Sequence, residues 1–287
     1  MQENGGTYME EKKKELLDPK MDIVFQTLFQ NNKKNITTDF VSDILGERVE
    51  IIEISAEDAL IKEYPEEKLG RLDLRVKMSD GTICQIEMQR TDQNNTIKRL
   101  LCYLCRGYSD QIKRGCKYKD LKRTIGIFIT NYELSELKDI QDLGAKWQLI
   151  ETKQRENILT KDIEARIIEI PKVKKILERN KDDIIAQWMM FLDNPDSEEV
   201  EKIMEKNDSV KRASSVLHEM SEDEKLRRLA ELREKAILEE ESVRDGALEE
   251  GEQKKALEIA TKMKDKDMDI EDIAELTGLS KEEIEKL

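Results

Sequence analysis

Three residues in one short stretch have the types and spacing to hold a hard cation and orient a water molecule. They are Asp73, Glu87 and Gln89, within RLDLRVKMSDGTICQIEMQR at residues 71–90. The stretch reads as a β-hairpin, two alternating runs around Ser79-Asp80-Gly81. A two-residue loop would set Asp73 opposite Met88 and mix polar and apolar residues on both faces. A three-residue loop with Gly81 in the left-handed conformation pairs Met78 with Thr82 instead. Leu72, Leu74 and Val76 then lie beside Met88, Ile86 and Cys84, while Arg71, Asp73 and Arg75 lie beside Gln89, Glu87 and Gln85. A one-residue slip would reverse every side chain, so the apolar pattern selects the longer loop. In that register Asp73 and Glu87 are cross-strand neighbours roughly 5 Å apart at Cβ. Like charges so placed repel, and a Mg²⁺ or Mn²⁺ ion between two hard oxygen donors would turn repulsion into attraction. The other reading of the same residues is a half-solvated hairpin face whose acids are offset by Arg71 and Arg75.

The elements around the hairpin are expected to position it. Met21 to Phe29 and Thr38 to Leu45 carry helical periodicity, with Gly46 as a C-terminal cap. Val49 to Ile54 is a β-branched run, hence a strand, joined to the hairpin by the polar stretch 63–68. After Gln89 a helix is expected through Ile112, with Ile97, Leu100, Leu101, Leu104, Tyr108 and Ile112 on its apolar side and Gly115 ending it. Tyr103 and Tyr108 read as packing residues rather than base-stacking platforms. Thr124 to Thr130, TIGIFIT, reads as a buried strand, and a last strand is expected near Ala165 to Ile170, closed by Pro171. Asp22 and Glu57 are further acids within reach of a ligand role.

The 287 residues carry a net charge of −14, but the sign is unevenly spread. Residues 1–150 sum to −2 and the remainder to −12, while Arg90 to Arg123 alone carries ten basic residues against three acidic ones. A phosphate backbone would seek such a stretch, and Arg90, Lys98 and Arg99 are its candidates nearest the acids. Arg99 points away from much of the apolar stripe. The chain has one histidine, His218, which argues against histidine-dependent hydrolases and His-Cys zinc enzymes. Cys102 and Cys105 share a helix side, yet no second C-x-x-C pair completes a zinc site. No apolar run spans a membrane, and the first residues lack the apolar core of a signal peptide, so the cytoplasm and reduced thiols are expected.

Beyond Pro171 the composition shifts to Lys, Glu, Leu and Ala, suggesting a core domain over 1–172 and an acidic helical region over 173–287. Trp188, Met189, Phe191 and Leu192 form an apolar cluster suited to docking on the core. Ser221 and Glu224 suggest a capping box opening a long polar helix, whose sparse Leu226, Leu229, Leu232 and Ala236 suit a partner helix. These last helices are expected to mediate self-association, a homodimer, with the core able to fold without them. The terminal segment reads as two short helices joined at Gly278, with Ser280 and Glu283 as a second capping box. Its outline is that of a helix-turn-helix, but Glu282, Glu283 and Glu285 would repel phosphates.

Several of these stretches, taken together, resemble the recombination-promoting nuclease (Rpn) and transposase family of the PD-(D/E)xK nuclease superfamily. They are Ile86-Glu87-Met88-Gln89 and Leu72-Asp73, Asp18-Pro19-Lys20 with Asp22 and the Phe25-to-Phe29 run, Arg99 with Tyr103, Gly115-x-x-Tyr118, and Ile168 to Lys172. The resemblance implies an α/β restriction-endonuclease-like core (helix, three strands, helix, strand) followed by an all-helical C-terminal region. It implies a metal-dependent DNA endonuclease linked to recombination, mobile elements or defence, with DNA as partner and no membrane. Asp73 and Glu87 would hold Mg²⁺ (or Mn²⁺), the carbonyl of Met88 would add a ligand, and Gln89 would act on the water. Gln89 stands where the superfamily pattern has lysine, and Gln26 where the family usually has one, so a catalytically inactive nucleic-acid-binding or interaction protein is the alternative.

Overall fold

The chain enters its core through two helices whose apolar sides meet, α1 (Asp22–Gln30) and α2 (Ile36–Leu45). The structure, a computed structural model, describes residues 15–30, 35–56, 73–92 and 95–287. Glu57 and the connection at 63–68 lie outside the described residues. Val24, Phe25, Leu28 and Phe29 of α1 are buried, as are Phe40, Val41 and Ile44 of α2. Gly46 closes α2 at φ +71°, donating its N–H to Ser42 O.

Three antiparallel strands follow, β1 (Ile51–Ser55), β2 (Leu74–Met78) and β3 (Ile83–Gln89). The hairpin between β2 and β3 has the three-residue loop. Met78 N–H donates to Thr82 O and Gly81 N–H donates to Met78 O, both at 2.9 Å. Gly81 takes φ +89°, which only glycine adopts without cost. The register is Lys77 with Ile83, Val76 with Cys84 and Leu74 with Ile86. Leu74, Val76 and Met78 are buried, whereas Arg75 and Lys77 reach solvent.

Helix α3 (Thr96–Ser109) then crosses back to β4 (Thr124–Thr130), which lies parallel to β3. The sheet is completed by β5 (Gly144–Gln148) and β6 (Ile163–Glu169) in the order β1-β2-β3-β4-β6-β5. β4 is buried at every position, as a central strand with parallel neighbours on both sides should be. Helix α3 covers one face, setting Leu100, Tyr103 and Leu104 against Phe128, Ala165 and Ile167. Two expectations need correction here. The helix stops at Ser109 rather than Ile112, and Gly115 (φ +93°) sits in the turn beyond it instead of capping it. Strand β5 was not expected, because an edge strand half open to water has no apolar run to announce it: Trp147 is 42 % exposed.

The opposite face of the sheet is covered by α1, α2 and helices from beyond Pro171. These are α4 (Val173–Arg179), α5 (Ile184–Asp193), α6 (Glu198–Met204) and α7 (Asp208–Glu222). Trp188 of α5 is fully buried against Phe29, Phe40 and Phe191, and its indole N–H donates to Asp43 Oδ2 at 2.7 Å. Lys20, from Asp18-Pro19-Lys20, donates to the carbonyls of Leu192 and Asp193 and so satisfies the free C-terminal end of α5.

The long helix α8 (Glu224–Lys264) follows. Its start is capped by Asp223, whose Oδ1 accepts from Lys225 and Leu226 N–H at 2.9 and 3.1 Å. Ser221 does not cap it, because its buried hydroxyl accepts the Leu17 N–H and donates to Leu217 O. Two compact units result, Met1–Ala230 and Glu231–Leu287. Lys172, where composition changes, is itself buried in the first unit, since α4 to α7 share its core. In the second unit, Ala260 of α8 is buried with Ile273 of α9 (Ile270–Thr277) and Ile284 of α10 (Lys281–Glu285). Gly278 joins the pair at φ +72°, and the Ser280–Glu283 capping box is present in both directions.

Candidate active site

Regular pairing of β2 with β3 ends at Leu74 and Ile86, and side chains take over beyond them. Asp73 Oδ2 accepts the backbone N–H of Met88 at 2.6 Å, while Glu87 Oε2 accepts the N–H of Asp73 at 3.2 Å. The two acids therefore stand side by side, 6 % and 3 % exposed. Gln89 lies on the same face and donates its amide N–H to Glu87 Oε1 at 2.6 Å. The alternation of Gln85, Glu87 and Gln89 along β3 turns all three toward α3, because successive side chains on a strand alternate faces.

Helix α3 contributes the neighbouring charge. Arg99, near its start, reaches Glu87 Oε1 at 3.4 Å and stands 5.8 Å from the centre of the Tyr103 ring. Its guanidinium is directed at the acids. Lys98 is exposed one residue earlier, and Arg90 is half-buried at the exit of β3. Close approach of the helix depends on Gly107, where an added Cβ would fall 2.4 Å from Gln85 Nε2. The far wall of the site is built by the segment after β4. Asn131 N–H donates to Gln89 O at 2.8 Å, and the Tyr132 hydroxyl meets Thr96 Oγ1 at 2.6 Å.

Burial pushes the Asp73 carboxyl up to about 7, and the nearby charge of Asp22 adds to that rise. The Met88 N–H, the Gln26 side chain and Arg99 oppose it without cancelling it. Asp22 and Gln26, one turn apart on α1, are thus neighbours of Asp73. Their helical spacing was visible in the sequence, but the contact joins segments about fifty residues apart and no local pattern announces it. Thr96, Tyr132 and the Gln85–Gly107 contact were not singled out for the same reason.

The donor chemistry fits a small divalent cation. Among the described residues no group of three or more His, Cys, Asp or Glu is arranged to hold a metal ion. Mg²⁺ is commonly held by one or two carboxylates, with water and substrate phosphate completing its shell. Asp73 and Glu87 supply two hard oxygens whose crowding such a cation would relieve. Cys102, Cys105 and Cys116 are exposed free thiols and Cys84 is buried.

A mixed sheet with a central hairpin carrying two acids, an adjoining basic helix and a helical cover is consistent with a restriction-endonuclease-like fold. Comparison with curated proteins and with solved structures returned no match. The family profile described as PD-(D/E)XK nuclease family transposase matches residues 19–247, which include every site residue named above. Nucleases of that superfamily generally use divalent metals. The chain belongs to the PD-(D/E)XK nuclease family transposases.

Proposed function

We propose that this protein is a metal-dependent DNA endonuclease, acting in recombination, mobile-element movement or defence against foreign DNA, whose centre is Asp73, Glu87 and Gln89. The observation that carries the reading is the buried juxtaposition of Asp73 and Glu87 beside Gln89 and Arg99. Asp73 and Glu87 would hold Mg²⁺ or Mn²⁺. The Met88 carbonyl would join them, since it leaves the strand on the same side as the N–H that meets Asp73. Bound there, the cation would polarise a phosphate oxygen and lower the pKa of a coordinated water.

The protein's own groups do the rest. Gln89 spends an amide N–H on Glu87, which leaves its carbonyl oxygen to accept a hydrogen from the attacking water. It orients that water without titrating, unlike the lysine of the superfamily pattern. Arg99, held by Glu87 and the Tyr103 ring, would offset charge gathering on the phosphate, with Arg90 and Lys98 on the flanking backbone. Free, largely exposed thiols agree with a reducing compartment such as the cytoplasm. No described helix is long and apolar enough to cross a membrane.

A second reading is favoured by one observation, the neutral Gln26 and Gln89 beside the acids: a member of the fold that binds DNA without cutting it. A plasmid-nicking assay in Mg²⁺, Mn²⁺ or EDTA separates the two. Metal-dependent nicking that Asp73→Ala abolishes supports the endonuclease, and binding without nicking supports the second reading.

A further inference from the structure

Between α3 and β4 the chain makes a loop, QIKRGCKYKDLKR at residues 111–123, that no part of the proposed centre uses. It carries six basic residues and one acid. Among the described residues, Lys113, Arg114, Lys117, Lys119 and Lys122 have no carboxylate within 4 Å, so their charge is not spent inside the protein. Tyr118 stands among them with 82 % of its surface exposed, the most exposed large hydrophobic side chain of the described residues. Packing does not account for an aromatic ring so placed.

The loop is built, not slack. Its two ends are clasped by Gln111, whose amide donates to Lys122 O and Thr124 Oγ1 at 3.0 Å and accepts the Lys122 N–H at 2.8 Å. Within it, Cys116 N–H bonds Lys113 O, Asp120 N–H bonds Lys117 O and Leu121 N–H bonds Tyr118 O. The Lys122 stem lies over Gly81, seating the loop beside the hairpin turn. The ring is therefore presented by a closed, hydrogen-bonded frame.

Position gives this frame a meaning. Helix α3 starts beside Glu87 and ends at the loop, and its 14 residues span ~21 Å. That is the length of about six stacked nucleotides at ~3.4 Å each. Lys98 and Arg106 line the exposed side of the helix between the two places. A duplex lying along this path would offer the ring only sugar and phosphate, whereas an unpaired base offers a face to stack on.

We propose that residues 111–123 form a single-strand platform, in which Tyr118 stacks on an unpaired nucleobase while Lys113, Lys117 and Lys119 hold the adjoining phosphates. The inference rests on the reading of the chain as a DNA-acting protein and narrows its substrate to DNA with an unpaired segment about six nucleotides from the carboxylates.

The test is fluorescence anisotropy of the full chain in EDTA, using labelled oligothymidylate and a blunt duplex of the same length. Tyr118→Ala should weaken binding to the single strand roughly 5- to 150-fold, the loss expected for one stacked base, and leave the duplex unchanged. Tyr118→Phe keeps the aromatic face and should bind like the parent. Lys117→Ala with Lys119→Ala should weaken both ligands and flatten the salt dependence. Unchanged single-strand binding by Tyr118→Ala, equal losses on both ligands, or a parent that binds no single strand would each overturn the platform. Nicking in Mg²⁺ is measured separately on the same proteins. A chain that nicks while Tyr118→Ala binds normally loses only the platform, and one that needs Tyr118 yet never nicks loses only the endonuclease.

Discussion

Glu87 accepts the backbone N–H of Asp73 with one carboxylate oxygen and the amide of Gln89 with the other. Gln89 therefore touches one of the proposed ligands, so its removal should act on the metal as well as on the water. Asp73→Ala should abolish both Mn²⁺ binding and nicking, since one acid cannot replace two. Gln89→Ala should slow nicking on the order of 10²-fold through a misplaced water. It should also weaken Mn²⁺ about tenfold, the usual cost of losing a group that orients a ligand. Gln89→Lys should retain nicking. Calorimetric Mn²⁺ titration beside nicking rates reads all three, and an Asp73→Ala protein that nicks like the parent removes the assignment.

The helix that carries Arg99 is seated by a residue with no side chain. Gly107→Ala would drive a methyl into the buried Gln85 amide, and relieving the overlap should cost about 1–3 kcal/mol. The shift should also loosen Arg99 from Glu87, so urea midpoint and nicking rate should fall together. A variant with the parent's midpoint would mean that Gln85 swings aside freely.

Glu164 lies fully buried at the opposite end of β6, bonded by Arg166 at 2.7 Å and Arg123 at 2.9 Å, with Lys146 at 3.3 Å. Burial alone would raise its pKa, but the bonds from Arg166 and Arg123 outweigh burial and hold it below the usual value. Its stabilising contribution is therefore complete above the unfolded value of ~4.3 and is lost as pH falls below it. Glu164→Gln should cost about 3 kcal/mol near neutral pH and progressively less as pH falls below ~4.3, where the parent's own contribution shrinks. Urea unfolding at pH 7 and pH 3.5 compares the two.

Burial pushes the Cys84 thiol up to about 12. Ellman's reagent at pH 8 should thus titrate Cys102, Cys105 and Cys116 in the native protein and reach the fourth thiol only after unfolding. The unfolded thiol ionises near 8.5, so the folded protein should lose stability as pH climbs from there toward 12. Four thiols titrating at once in the native state would contradict this placement.

Leu229 and Leu232 of α8 are each about half exposed. We expect helix α8 to self-associate through such positions. Light scattering on the full chain and on a chain ending at Ala230 should show the mass per particle falling on truncation while the first unit stays folded. A full chain monomeric at high concentration would exclude the association.

What could be read from the sequence was what alternation fixes locally. One apolar stripe in residues 71–90 was enough to choose the loop, the register and the face shared by Asp73, Glu87 and Gln89. Boundaries read less well, because Ile112 continues the helical spacing after the backbone has already turned at Ser109. Ser221 matched a capping pattern, yet its hydroxyl is drawn inward by Leu17, a partner that no window around Ser221 contains. Asp22 and Gln26 beside Asp73 are likewise products of tertiary folding. The composition change at Lys172 marked where strands end, not where the core ends.

The bond between Leu17 and Ser221 joins residues 204 positions apart. At a synthesis rate of ~5–20 residues per second, roughly 10–40 s separate their emergence from the ribosome. For most of that interval the apolar sides of α1 and α2 lack the cover that α5 and α7 later supply. The strands bearing the two acids leave the ribosome before the helices that brace them. The nascent chain thus carries the two acids on their hairpin well before it carries the helices that stiffen the sheet beneath them.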